Sequence, residues 1–295
     1  MAVSKRFPTD HHGPLLPPPD FAGAIATLSG PALHEAIDAA RRQLLVLQQD
    51  AWISLASDGE LMRRFAGRID PLAEARFAAA NSPAAPKVRL PATPAGAPMT
   101  DTATLRGLLQ AGARYIQLDG SGYAPLLRKG AQAGEELKRR IAADAAVLAP
   151  LELEDGIKIA VCLHDPGDLA SRPFAENLDQ GAAETLFHTL GANRYIFDCG
   201  TDARRDFGFL SLLPESAGAA LGLFDAGAAA LPDPEALVAE IDRAGRIIDT
   251  NRLAVIPRHS LAQAIEMAPA AAWDRQKHVL DYILDVATRA WGIDF

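Results

Sequence analysis

The sequence predicts a single (β/α)8 barrel, because short apolar segments alternate with helical patterns along all 295 residues. Eight strands are predicted, and most are continuous apolar runs, as expected for parallel strands that are covered on both faces. An open doubly wound sheet is the second choice, but no G-x-G-x-x-G or P-loop pattern supports nucleotide binding there. We therefore expect one α/β domain over residues 1–295, in which residues 1–30 form an N-terminal extended segment that closes on the barrel.

The eight predicted strands begin just before His11 and recur along the whole chain. The first precedes His11–Gly13, and the other seven cover residues 51–57, 87–91, 114–119, 157–163, 194–199, 219–225 and 253–257.

Helical periodicity fills the intervals between these strands. Leu33, Ile37, Leu44 and Leu47 recur at helical spacing after Ser29-Gly30-Pro31, where a capping residue precedes a proline of the first turn. A second such pattern covers residues 237–248, and the last runs through residues 279–290. Together the strands and helices give the β/α units of a barrel.

Three segments are predicted to lie outside the barrel wall. Residues 14–20 are proline-rich, residues 81–101 are broken by prolines around one short strand, and residues 119–134 form a long excursion after the fourth predicted strand. Loops at the C-terminal face of a barrel usually cover the substrate. We expect substrate-capping loops from these segments.

Composition and charge exclude several functional classes. The formal net charge is −8 and lysine and arginine are scattered, so binding to nucleic acid has little electrostatic support. Two cysteines do not form a disulfide framework, and no apolar run approaches the roughly 20 residues that span a bilayer. The N-terminus also lacks the apolar core of a signal peptide. We expect a cytoplasmic protein without nucleic-acid or membrane partners, and the oligomeric state stays open.

Residues suited to catalysis or metal binding follow the predicted strands at their C-terminal ends, where barrels hold their active sites. They are Asp58, Glu60, Asp119, Cys162, His164, Asp198, Asp225 and His259. A set of thiol, imidazole and carboxylate groups can ligate Zn²⁺ in a tetrahedral site, and Cys162, His164, Asp198 and His259 form such a set. Cys162 and His164 are two positions apart and therefore share a face of an extended segment. Carboxylates that only accept hydrogen bonds, as in Glu60 and Asp119, suit an ammonium group.

The same residues also have structural interpretations. Cys162 could be a buried core thiol, His164 a loop histidine, and Asp198 a cap of the following loop. Their joint placement at strand ends is what favours a metal site. His11 and His12 could reach the site from the first strand, but for the N-terminal chain around these two residues we expect disorder, so they are not included in the ligand set.

Several segments resemble the catalytic barrel of cobalamin-independent methionine synthase and its shorter single-domain relatives, and the resemblance covers nearly the whole chain. The similar segments are "HHGPLLPPP", "LLVLQQDAWISLASDGELMRRF", "YIQLDGSGYAPLL", "NRYIFDCGTDARRDFGFLSLLP" and "LAVIPRHSL". The resemblance implies a (β/α)8 barrel that transfers a methyl or other alkyl group to a small thiol such as homocysteine, with Zn²⁺ holding the substrate thiolate. It also implies that Glu60 and Asp119 hold the amino group of the thiol. We expect Gly13 and Asp58 to bind the substrate as well.

The residues at the family's metal positions depart from its pattern. The family has His-x-Cys where this chain has Cys162-x-His164, Glu where it has Asp198, and Cys where it has His259. The formal charge of the ligands changes from about −3 to about −2. Zn²⁺ stays the expected ion, and the added imidazole makes Fe²⁺ or Mn²⁺ possible. Pro14 stands where the family has a serine that contacts the substrate.

The sequence leaves the alkyl donor and the class of reaction open. The alkyl donor could be a folate, a corrinoid protein or a small methylated compound. A lyase or hydrolase on the same barrel could use His164, His259 and Asp225 as acid–base groups, with His259 and Asp225 as catalytic residues. A barrel that binds a small molecule without turnover is the third possibility.

Overall fold

The computed structural model describes residues 7–94, 96–201 and 205–292. Within these ranges, seven parallel strands form one sheet whose spatial order follows the chain. The strands are β1 (Leu55–Ala56), β2 (Ala85–Arg89), β3 (Tyr115–Asp119), β4 (Lys158–Cys162), β5 (Arg194–Asp198), β6 (Gly218–Phe224) and β7 (Leu253–Pro257). No step in this order reverses, so the sheet winds like a barrel and the doubly wound alternative is not supported.

Helices separate the strands along the chain, as the periodicity predicts. They are α1 (Pro19–Ala24), α2 (Gly30–Asp50), α3 (Leu61–Ala66), α4 (Pro71–Asn81), α5 (Thr102–Gln110), α6 (Ala124–Arg128), α7 (Gly134–Leu148), α8 (Gln180–Leu190), α9 (Pro234–Gly245), α10 (Leu261–Ala264) and α11 (Pro269–Trp291). The three helices predicted from sequence correspond to α2, α9 and α11. None of the described helices has the length and apolar character needed to cross a membrane.

A single residue bridge occupies the place of the first predicted strand. Thr9 pairs with Val255 of β7 in the parallel sense, and Val255 N donates to Pro8 O over 3.0 Å. On its other side, Thr9 Oγ1 accepts a hydrogen bond from Ser54 N, just before β1, at 3.3 Å. The segment around Thr9 therefore lies between the last strand and the first. The barrel-like α/β fold is confirmed, whereas the described residues contain seven strands and a bridge instead of eight strands.

The strand β1 is much shorter than the predicted strand at residues 51–57. Helix α2 continues to Asp50, and Trp52 then adopts a left-handed backbone with φ of 52°. In this turn Trp52 N donates to Gln49 O and Ile53 N donates to Gln48 O. The end of the helix thus uses the first residues of the apolar run, and only two residues remain to pair as β1.

The loops that were predicted as caps contain short helices. Residues 119–134 hold the 3-10 turns Ser121–Tyr123 and Gly130–Ala133 with α6 between them. The N-terminal segment, expected to be extended over residues 1–30, turns into α1 at Pro19. Residues 1–6 of that segment lie outside the described residues.

The two faces of the sheet differ in polarity. On β5, Tyr195 packs edge-on against Phe187 of α8, with ring centroids 4.7 Å apart. Tyr195 therefore points to the helix side of the sheet. The side chains that point to the opposite, interior side include three buried polar residues on three strands, namely Lys87, Gln117 and Arg194. Since barrel interiors are usually filled by branched apolar side chains, this polar interior is unusual, and the candidate site lies at the strand ends of the same face.

Candidate metal centre

Three buried side chains at the strand ends form a compact group with metal-ligand chemistry. Ligand atoms of His12, Cys162 and His164 all lie within 4.8 Å of one another. Cys162 Sγ lies 3.9 Å from His12 Nδ1 and 3.8 Å from His164 Nδ1. In a tetrahedral zinc site, sulfur and nitrogen ligands at about 2.3 and 2.0 Å from the ion stand about 3.5 Å apart. The two sulfur–nitrogen distances are therefore within a few tenths of an ångström of those in a tetrahedral site.

Strand geometry places two of these residues and a close backbone approach places the third. Cys162 ends β4, and His164 follows two positions later. His12 precedes Gly13, which has φ of +68° and lies so close to Ser260 that a Cβ atom would come within 2.3 Å of the serine Cβ. Only glycine fits this position. Gly13 thus sets the course of the chain next to His12, while its predicted contact with substrate stays a prediction.

A backbone hydrogen bond fixes the proton of His164. Its Nε2 lies 2.9 Å from the carbonyl oxygen of Arg258. Because a carbonyl only accepts, Nε2 carries the hydrogen and the lone pair of Nδ1 faces Cys162. Metal-binding histidines are usually oriented by such a bond from their second nitrogen. His164 is therefore already in the tautomer that a metal ligand needs.

Burial keeps the three groups uncharged at neutral pH. Desolvation is the largest cause that lowers the pKa of His12, well below its usual value, and of His164. Desolvation also raises the pKa of the Cys162 thiol to about 12, and Sγ donates to the carbonyl oxygen of His164 at 3.2 Å. A divalent cation would reverse the thiol's preference, because a nearby positive charge stabilises the thiolate.

Asp198, one of the four predicted metal ligands, has both carboxylate oxygens engaged elsewhere. Arg258 donates Nε to Oδ1 at 2.6 Å and Nη2 to Oδ2 at 3.0 Å, and Ser171 Oγ donates to Oδ2 at 2.6 Å. These bonds hold the pKa of Asp198 below its usual value although burial opposes them. In this arrangement Asp198 anchors the loop that carries Ser171 and is not part of the three-residue group. Its role as a ligand stays a prediction.

His259, the other predicted ligand, lies near the group without belonging to it. It is buried, and its Nδ1 makes no hydrogen bond within the described part of the chain. Its charge would act on both His12 and His164, since it is among the causes that lower their pKa values. The carboxylate of Asp225 accepts a hydrogen bond from Gly227 N at 2.9 Å, as expected for a turn. The catalytic roles of His259 and Asp225 remain untested.

The expectation that the N-terminal segment is disordered was wrong for the described residues from position 7 onward. His11 and His12 are fully buried. Lys87 on β2 forms a buried ion pair with Asp10, with Nζ 2.5 Å from Oδ1, and also donates to the His11 carbonyl. His11 Nε2 lies 3.1 Å from Gln48 Oε1 on α2. Sequence gives no signal for this packing, because Lys87 and Asp10 are 77 positions apart.

The carboxylates predicted to bind an ammonium group are mostly paired with arginines. Glu60 is buried and accepts from Arg89 Nε at 2.7 Å, from Arg89 Nη2 at 3.1 Å and from Arg63 Nη1 at 3.1 Å. Asp58 accepts from Arg41 at 2.9 Å. These ion pairs neutralise both carboxylates, so neither presents a free negative charge.

Asp119 differs from Glu60 and Asp58 because one of its oxygens accepts no hydrogen bond from the described residues. Its Oδ1 accepts from the backbone nitrogen and the hydroxyl of Ser121, at 2.9 and 2.7 Å. Asp119 lies opposite Cys162 in the register of β3 and β4, and its negative charge is among the causes that raise the pKa of the thiol. Asp119 is thus the predicted substrate residue that lies nearest to the candidate metal centre in the sheet register.

A cavity of about 420 Å³ opens beside the group. Its lining includes His164, Ser171 and Asp198, together with residues of α6 and the turn before it. This volume is in the range of small-molecule sites. A substrate in this cavity would contact the loop that Asp198 anchors.

Acid is expected to destabilise the metal-free protein between about pH 6.5 and pH 4. Burial, with a smaller effect of Lys87, lowers the pKa of His11 from 6.5 to about 4. The unfolded chain binds a proton in this range that the folded chain does not, so the stability is present above pH 6.5 and is lost as the pH falls. At about 1.4 kcal/mol per pKa unit, His11 alone contributes about 3 kcal/mol. Urea unfolding with a chelator across this range would measure the loss. His11→Asn should reduce the dependence of the free energy of unfolding on pH, whereas the control His34→Asn, at an exposed position, should leave it unchanged. The same pH dependence in His11→Asn as in the wild type would contradict this prediction.

No protein-family model and no curated protein matches this chain. Two solved structures resemble it over nearly its whole length. One is a Listeria monocytogenes protein with a provisional assignment as a vitamin-B12 independent methionine synthase, with a TM-score of 0.72, 16% identity, and coverage of 98% of this chain and 99% of the other. The second is a B12-independent methionine synthase from Shewanella sp. W3-18-1 in complex with selenomethionine, with a TM-score of 0.67, 16% identity, and coverage of 94% and 97%. At this identity the likeness establishes the fold. The chain therefore shares the fold of these methionine synthase structures, as its sequence resemblance predicted.

Proposed function

We propose that this chain is a metal-dependent enzyme that transfers a methyl or other alkyl group to a small thiol such as homocysteine. The observation that carries this proposal is the buried group of His12, Cys162 and His164, whose ligand atoms converge at the strand ends. The fold shared with the two methionine synthase structures supports it.

The chemistry of the three residues fits a transition-metal ion. One thiolate with two imidazoles is a donor set typical of Zn²⁺, and Fe²⁺ or Mn²⁺ is the alternative for an imidazole-rich site. A nearby buried nitrogen, His259 Nδ1, has no hydrogen-bond partner in the described residues. Such a buried polar atom costs about 1–3 kcal/mol, which favours a ligand at this place. When bound, the metal would supply a Lewis acid that holds a substrate sulfur as thiolate.

Arg258 links the candidate ligand His164 to the cavity beside it. Its carbonyl orients His164, while its guanidinium holds Asp198 and through it Ser171. The position of Nδ1 of His164 is therefore tied to the loop that lines the cavity. We infer that the alkyl donor approaches through this cavity, and a folate, a corrinoid protein and a small methylated compound are the donor classes to be assayed.

Metal analysis of protein purified without chelator tests the proposal. We expect about one metal ion per chain and a thiol-alkylation activity that chelator removes and Zn²⁺ restores. Alkylation of homocysteine would be followed with each of the three donor classes. Less than about 0.2 metal ions per chain, without gain on adding Zn²⁺, Fe²⁺ or Mn²⁺, would contradict the proposal.

A lyase or hydrolase is the second candidate, and His259 favours it. Burial and the neighbouring Arg258 lower the pKa of His259, so this histidine is neutral and able to accept a proton at pH 7. Its Nδ1 has no partner in the described residues. A wild-type protein that cleaves a substrate without alkylating thiols, combined with full metal content but no turnover in His259→Ala, would favour this candidate.

A further inference from the structure

Arg89 places a positive charge on the interior face of the sheet, at the end of β2. It ends β2 and lies two positions after the buried Lys87, so its side chain points to the same interior face. In the sheet register Arg89 pairs with Gln117, and Gln117 pairs with Ala160, which lies two positions before Cys162 on β4. Its side chain is 22% exposed, so it is not fully buried as Lys87 is.

The two arginines take three of the roughly four acceptor positions of the Glu60 carboxylate, which leaves little capacity for an ammonium group. Arg89 occupies both of its oxygens, Arg63 shares one of them, and the carboxylate is buried. A hydrogen bond from the Glu60 backbone nitrogen to Asp58 Oδ1, at 2.9 Å, fixes the turn that carries it. An ammonium group brought to this carboxylate would have to displace a guanidinium from a nearly ideal two-pronged pair.

Arg89 keeps hydrogen-bonding capacity for an anion. Its Nε and Nη2 donate to Glu60, and a guanidinium has five N–H donors, so the two hydrogens of Nη1 have no acceptor among the described residues. Gln117 pairs with Arg89 in the register of β2 and β3 and is buried, yet its Oε1 has no partner among the described residues. Rotation of its terminal amide would present N–H groups to the same anion.

Asp119 does not provide an alternative site for the ammonium group of a substrate. One of its oxygens is held by Ser121, and Asp119 lies two positions beyond Gln117, the register partner of Arg89 on the neighbouring strand. The remaining negative charge beside Cys162 is therefore opposed by Arg89.

We propose that the acceptor is a small thiol that carries a carboxylate or another anionic group and no ammonium group, and that Arg89 is the residue that selects it. This inference rests on the proposed function. Nη1 of Arg89 donates to the anionic group, while an ammonium group at Glu60 would lie against the guanidinium. Like charges placed together in a partly buried site weaken binding strongly.

Three thiols that share the first three carbons of the chain after sulfur test this selectivity. They are 4-mercaptobutyrate, with a carboxylate only, homocysteine, with a carboxylate and an ammonium group, and 3-aminopropanethiol, with an ammonium group only. Binding to the Zn²⁺-loaded protein would be measured by calorimetry, and the thiolate absorption of the Co²⁺-loaded protein would report sulfur coordination. We expect 4-mercaptobutyrate to bind at least about tenfold more tightly than homocysteine, and 3-aminopropanethiol to bind most weakly. Equal or tighter binding of homocysteine would overturn the proposal.

Arg89→Met adds a second test, because it frees one side of Glu60 while Arg63 still pairs with the other. We expect this variant to lose the preference for 4-mercaptobutyrate and to gain affinity for the two amine-bearing thiols. The matched control is Arg114→Met, since Arg114 precedes β3 at the opposite end of the sheet and should leave the order unchanged. Thermal denaturation would establish whether the variants fold. If Arg89→Met does not fold, the order of the three thiol affinities in the wild-type protein tests the proposal by itself.

The outcomes separate this proposal from the proposed function. If the protein binds no metal and none of the thiols gives thiolate absorption, both proposals fail. If metal binds and the order of the thiols is reversed, the selection by Arg89 alone is wrong.

Discussion

Replacing His12 by alanine is expected to lower the affinity for Zn²⁺ by at least about 100-fold, because the group of His12, Cys162 and His164 loses one of three ligands. Cys162→Ser should have at least the same effect, since the thiolate is the one ligand of the three that carries a charge when deprotonated. Both affinities would be measured on metal-free protein by competition with a chromogenic chelator.

Two further variants make this test specific. His188→Ala removes an exposed histidine of α8 and should leave the affinity unchanged. Asp198→Asn separates the ligand set of the structure from the set that the sequence resemblance implies. We expect it to keep the affinity within about tenfold, because Asp198 is bound to Arg258 and Ser171. A loss as large as that of His12→Ala would instead support Asp198 as a ligand.

Sequence reasoning could place Cys162 and His164 together, because a local rule suffices. The apolar run that ends at Cys162 predicts a buried strand, and two positions along an extended chain return to the same face. His12 follows no periodic pattern, and its neighbour His11 is held by contacts with Lys87 and Gln48, which lie far away in the chain. A third ligand of this kind depends on tertiary packing that single-sequence patterns do not contain.

The sequence predicts which charged residues lie at the site, but it does not predict which of them form ion pairs with each other. Glu60 has the chemistry to hold an ammonium group, and only the fold shows that Arg63 and Arg89 already satisfy it. Arg63 follows three positions after Glu60 and could be suspected from helical spacing, whereas Arg89 comes from the next strand. Arg258 and Asp198 are likewise 60 positions apart. Partner choice between distant residues is therefore what the sequence left open at this site.

The largest effect on stability is expected for Lys87→Met, which should lower the free energy of unfolding by about 3–5 kcal/mol. Lys87 Nζ lies 2.5 Å from Asp10 Oδ1, and the two side chains are 3% and 0% exposed. Without the ammonium group, the carboxylate of Asp10 would remain buried with no counter-charge. Urea denaturation measures the loss. The exposed pair of Lys138 and Glu135 supplies the control, because Lys138→Met should change stability by less than about 1 kcal/mol.

The same variant links the barrel interior to the candidate metal centre. Lys87 donates to the His11 carbonyl, and Asp10 Oδ1 accepts from the His11 backbone nitrogen at 2.7 Å, so both residues fix the backbone just before His12. Adding Asp10→Asn to Lys87→Met removes the unpaired charge, and we expect it to recover part of the stability without recovering the affinity for Zn²⁺. Zn²⁺ should then raise the free energy of unfolding less in the double variant than in the wild type, because stabilisation by a ligand grows with its affinity. An equal rise in both proteins would show that His12 keeps its place without the ion pair.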